Sequence, residues 1–137
     1  MTGRARHLLR DSHGSSAVEF SIAVPILIMM IWGLFQIGLI FQANAGMQHA
    51  LGEGARYATI YDVTQVNRRP TDAAIQAKIT SYKFGVANGT WGTPTITTDD
   101  ATATKTITVT YSQPLNFLFF SGPTVTLTKT KTVYLSE

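Results

Sequence analysis

From Phe20 to Phe41 the chain is an almost unbroken apolar run of 22 residues. Gln36 is its one strongly polar side chain, and Ser21 can bond back to its own helix. As a helix the run rises about 33 Å, enough to cross a hydrocarbon core about 30 Å thick. Pro25 falls in the first turns, where it bends a helix without ending it. Trp32 sits mid-run, so it reads as a packing residue and not as a headgroup anchor. No proline occurs between Gln42 and Ile60, which predicts that the helix continues outward. Along that extension Gly46, Ala50, Gly54 and Ala58 recur every four residues on one face. Such a small-residue stripe admits another backbone closely, either the chain's own sheet or a neighbouring helix.

Beyond Ile60 the pattern changes. Asp62–Pro70 reads as a loop, with Arg68-Arg69-Pro70 as a break. Thr71 is placed to cap a short helix in which Ile75, Ile79 and Tyr82 share a face and Gly85 ends it. Asn88-Gly89 and Gly92 mark turns, and three threonine-rich strands follow: Thr93–Thr98, Lys105–Ser112 and Thr124–Leu135. In the second, Ile107, Val109 and Tyr111 alternate with Thr106, Thr108 and Thr110, the period of a half-buried strand. Asp99-Asp100 reads as a turn, since the loop lacks the regular ligand series that calcium needs. Lys129 and Lys131 interrupt the apolar face of the last strand, which implies a twist, a bulge or an exposed middle. Leu115–Phe120 places five large apolar residues in a connection. It either folds back over the sheet edge as core or presents a contact patch. The expected fold is α+β: a long N-terminal membrane-spanning helix continuing into a small domain with a short helix and a three-stranded antiparallel sheet.

With 137 residues the chain suits one compact domain plus an anchor. It has no cysteine, which excludes disulfides, thiolate metal sites and a cysteine nucleophile. The formal net charge is +3, and Arg4, Arg6 and Arg10 precede the apolar run. No further Lys or Arg occurs before Arg56, so the positive-inside rule places the N-terminus in the cytoplasm and the following domain outside. The other basic residues are scattered without interleaved stacking aromatics, and nucleic-acid binding is not expected. His49, Glu53 and Arg56 are neighbours on the helix, but no further ligand or nucleophile converges on them. No cofactor, no metal site and no enzymatic activity are expected.

Glu19 stands at the head of the apolar run, between Val18 and Phe20. A carboxylate in that position is costly, about 2.5–3.5 kcal/mol at the helix centre and less near the interface. It needs a partner or a task. A cleaved signal peptide would carry a shorter apolar stretch, although Ala43-Asn44-Ala45 does fit a small-x-small cleavage pattern. Upstream, Glu19 is the fifth residue after Gly14. A basic leader, a glycine, four residues, a glutamate and a long apolar helix together resemble the processing signal of type IV prepilins. The residues carrying the resemblance are Arg4, Arg6, Arg10, Gly14, Glu19 and Phe20. Two blocks narrow it further: Ser15–Pro25, containing Ala-Val-Glu-Phe, and Glu53-Gly54-Ala55-Arg56-Tyr57-Ala58. Both resemble the TadE-like proteins of the tight-adherence pilus system, with Asp11–Ala58 as the stretch concerned.

That resemblance implies cleavage of Gly14–Ser15 by a prepilin peptidase. It also implies that Glu19, beside Phe20, neutralises the amino terminus of a neighbouring subunit. The implied organisation is a leader over 1–14, an apolar assembly helix over 15–60 and a small exported domain over 61–137. The implied function is that of a minor pilin, or pseudopilin, taking part in assembly of an adhesive type IV pilus. Its partners would be the peptidase, other pilins, an inner-membrane assembly platform and the lipid bilayer. The implied location is the bacterial inner membrane, single-pass, with a periplasmic domain and incorporation into a pilus. The alternative is an unprocessed single-pass scaffold or binding protein with a periplasmic domain.

Overall fold

The computed structural model describes residues 12–60, 63–65, 69–84 and 88–135. Arg4, Arg6 and Arg10 of the leader, Asp62 and Arg68 of the expected loop, and the expected helix terminator Gly85 lie outside the described residues. Helix α1 runs over Ser12–Ala58, 47 residues with Pro25 inside it, a length of about 70 Å. Helix α2 spans Asp72–Ser81 and is capped by Thr71, whose hydroxyl accepts from the Ala74 amide at 3.2 Å. It buries Ile75 and Ile79, while Tyr82 forms the C-cap.

Four strands complete the domain: β1 at Thr90–Trp91, β2 at Thr95–Asp99, β3 at Thr104–Asn116 and β4 at Ser121–Tyr134. All pairings are antiparallel and all involve β3. The sequence predicts three strands, and the difference lies in the first of them. β1 and β2 both pair with β3, and a single-residue slip separates them. Trp91 pairs with Tyr111 and Thr95 with Thr108, so three residues of one strand face two of the other. The Gly92 amide still reaches the Thr110 carbonyl at 2.9 Å. Pro94 then has no N–H to give, and the ladder resumes only after it. The expected start at Thr93 is therefore corrected to Thr95. The two-residue β1 is held by an edge-to-face contact of Trp91 with Tyr111, centroids 5.5 Å apart.

Both helices supply the core on one side of the sheet. From α1 come Ala43, Met47, Ala50, Leu51, Ala55 and Ala58, which together trace one face. They meet Ile75 and Ile79 of α2 and Ile107, Val109, Tyr111 and Val133 of the sheet. The opposite face of the sheet is a threonine ladder open to solvent, as an antiparallel sheet permits. Hydroxyls of Thr106 and Thr132, Thr108 and Thr130, and Ser112 and Thr126 lie 3.2, 3.1 and 3.2 Å apart across β3 and β4.

The register of β4 explains its two lysines. Lys131 pairs with Ile107 and Lys129 with Val109, so both stand on the core-side face of the sheet. Yet Lys131 is exposed and Lys129 half-buried. Among the described residues β4 pairs only with β3, which makes it an edge strand. Charges on the inner face of an edge strand oppose pairing with a second sheet. Of the three options, the exposed middle is the one present. The Asp99 turn is likewise local chemistry: its carboxylate accepts from the Ala101 amide at 3.0 Å. Bonds from Thr102 and Ala101 hold its pKa below the ordinary aspartate value.

Candidate assembly helix

Gly14 and Ser15 lie within the described span of α1, Ser12–Ala58. Glu19 follows one turn later and is exposed. Phe20 is 69% exposed.

The lower half of α1 has little of the described protein packed against it. Val18, Ile22, Ile26, Leu27, Met30, Ile31, Leu34 and Phe35 are all exposed, as are Ile37 and Phe41. The core helix of a water-soluble domain would bury such residues. α1 is the one helix among the described residues long and apolar enough to cross a membrane.

The upper half of α1 is packed from two sides. The stripe of Gly46, Ala50, Gly54 and Ala58 is occupied by the chain itself. Ala50 and Ala58 are buried in the core. A Cβ at Gly54 would collide with the side chain of Ile79 in α2, and one at Gly46 would press on the Phe84 ring at 3.2 Å. Gly54 of the Glu-Gly-Ala-Arg-Tyr block is thus a contact position for α2, and Ala55 lies in the core. Glu53, Arg56 and Tyr57 flank them and line a shallow groove with Ile60, Lys78 and Tyr82. The Lys78 ammonium stands 5.9 Å from the Tyr57 ring and 5.0 Å from the Tyr82 ring. Among the described residues no ion pair joins Glu53 to Arg56. His49 lies edge-on to Tyr82 with centroids 5.6 Å apart.

Residues 14–56 match the family model described as TadE-like protein. Over these residues the chain is similar to TadE-like proteins. The match covers about a third of the sequence, starting at Gly14, taking in Glu19 and Phe20, and ending at Arg56 of the second block. No curated protein and no solved structure is matched by the chain. The TadE-like segment suggests a protein associated with the tight-adherence pilus. Together with the bare apolar surface of α1 it points to a single-pass membrane protein.

One contact in the TadE-like helix escapes sequence reasoning. The Asn116 carbonyl accepts from the Trp32 indole at 2.6 Å and from the Gln36 amide at 2.6 Å. The end of β3 is thereby tied to the middle of the apolar run, and Gln36 is buried beneath it. The lone polar side chain of the run is the available signal. Its partner lies eighty residues away in sequence, where no local pattern points back to it.

Proposed function

We propose that this protein is a minor pilin of the tight-adherence system, cut by a prepilin peptidase between Gly14 and Ser15 and then assembled through α1. The observation that carries the reading is the TadE-like match, which opens at Gly14 and includes an exposed Glu19 at the head of a bare apolar helix. Hydrolysis of that bond consumes one water, leaving a carboxylate on Gly14 and a free α-amino group on Ser15. The N-terminus is cytoplasmic at this stage and the outer domain periplasmic, in keeping with the leader arginines. The new amino group has an ordinary pKa of about 7.7–8.0, so it is mostly charged at neutral pH. Glu19 of an adjacent subunit neutralises it when helices gather. An ion pair between subunits favours one register over others.

Processing and assembly are read separately in one experiment. The membrane and pilus fractions of cells making the parent chain or Glu19→Leu are analysed by intact-mass spectrometry. The expected result is a chain beginning at Ser15 in both strains and loss of the Glu19→Leu chain from the pilus fraction. Retention of residues 1–14 beside an active peptidase would replace this reading with that of an unprocessed single-pass scaffold. Undiminished assembly of Glu19→Leu would remove the proposed role of the carboxylate.

A further inference from the structure

The β3–β4 hairpin closes over Phe117–Phe120, with the Phe117 amide on the Phe120 carbonyl at 2.9 Å and the reverse bond at 3.3 Å. Phe117 and Phe120 stack with centroids 4.8 Å apart. Phe117 leans toward α1, where a Cβ on Gly33 would lie 3.8 Å from its ring. The rest of the tip points away from protein: Leu118 is 52% exposed, Phe119 67% and Phe120 57%.

The height of this patch along α1 is fixed by the bonds from Trp32 and Gln36 to Asn116. Those residues lie inside the apolar run that continues to Phe41. From Leu34 to Phe41 the helix rises about 10 Å. At and above the level of the tip, Leu34, Phe35, Ile37 and Phe41 remain exposed on the other faces of α1. A bilayer that covers those side chains also reaches the hairpin. The tip is suited to that depth. From Leu115 to Pro123 it has no charged residue. The nearest lysine on β4, Lys129, is nine residues beyond Phe120, about 30 Å along an extended strand. The ladder continues to the Asn116–Ser121 pair, and the turn bonds itself, which limits the unsatisfied backbone that lipid would not tolerate.

We infer that the β3–β4 hairpin tip is a second membrane-contacting element, with Leu118, Phe119 and Phe120 immersed among the acyl chains of the leaflet nearest the domain, beside α1. The domain is seated on the bilayer as well as tethered to it. The inference rests on α1 crossing the bilayer and not on processing or pilus assembly, so its failure leaves the pilin reading intact.

The cysteine-free chain allows single-site labelling of the full-length protein. Phe119→Cys, Leu27→Cys in the apolar run and Thr128→Cys on the solvent face each receive a nitroxide. The labelled proteins are reconstituted in phosphatidylcholine vesicles at high dilution. Collision with oxygen, which concentrates in lipid, is compared with collision with a water-soluble nickel chelate. The expected result is a severalfold higher oxygen-to-nickel ratio at 119 than at 128, matching position 27. A water-like ratio at 119 overturns the inference, whether or not position 27 is lipid-like. So does a label at 119 that is shielded from both reagents, or broadened by a second label, because another copy of the chain then covers the tip. Phe120→Cys repeats the measurement if Phe119→Cys does not fold.

Discussion

Gly54 shows how much a single hydrogen atom can carry. Its missing side chain is what lets Ile79 reach the axis of α1, and a branched residue there must push α2 away from a core that has little slack. Gly54→Val is expected to destabilise the domain by about 1–3 kcal/mol, read as a lowered urea midpoint for the full chain in detergent. Gly52, with nothing within 4 Å of its added Cβ, is the matched control and should tolerate alanine. Asp99 makes a pH-dependent contribution of known sign. Hydrogen bonds from Thr102 and Ala101 favour its ionised form in the fold, so its pKa is lowered. Its stabilisation is therefore complete above the unfolded value, about 3.9, and disappears as pH falls through the lower folded value. The gap in thermal midpoint between the parent and Asp99→Asn should be constant from about pH 5 upward and narrow on acidification. A gap independent of pH would assign the turn's stability to geometry alone.

At the scale of elements, β4 combines an open edge with two lysines on its inner face. Replacing both, as Lys129→Val with Lys131→Val, improves local β propensity and removes the barrier to edge pairing. The expected outcome is faster aggregation of the detergent-solubilised chain by light scattering, with the folded monomer at least as stable. The same sheet shows what sequence can and cannot specify. Alternation in β3 and the cap at Thr71 are local signals, and both are legible. The long helix is legible because composition and length act together. The split between β1 and β2 is not, because a one-residue slip at Gly92–Pro94 has meaning only against the register of β3. For the Leu115–Phe120 segment, sequence allows core or contact. The structure divides it, turning Phe117 toward α1 and leaving the next three residues exposed. The small-residue stripe allows a sheet or a neighbouring helix as its occupant, whereas the chain's own α2 and Phe84 lie against Gly54 and Gly46. Such a partner is chosen by tertiary packing and leaves no mark in the four-residue spacing.

The whole molecule is polarised along one axis. Its described outer domain gathers around the upper half of α1, and the lower half is bare except where the hairpin tip meets Trp32 and Gly33. With the proposed orientation, Thr128→Cys reacts with a membrane-impermeant maleimide in spheroplasts, and Thr2→Cys in the unprocessed chain reacts only after lysis. The reverse pattern would invert the topology. Above the level of Gln42, α2 and the sheet cover only one face of α1: Gln48 and Arg56 stay exposed, and nothing lies within 4 Å of a Cβ added at Gly52. The helix is a spine with cladding on one side, and its outer side stays uncovered by the rest of the described chain.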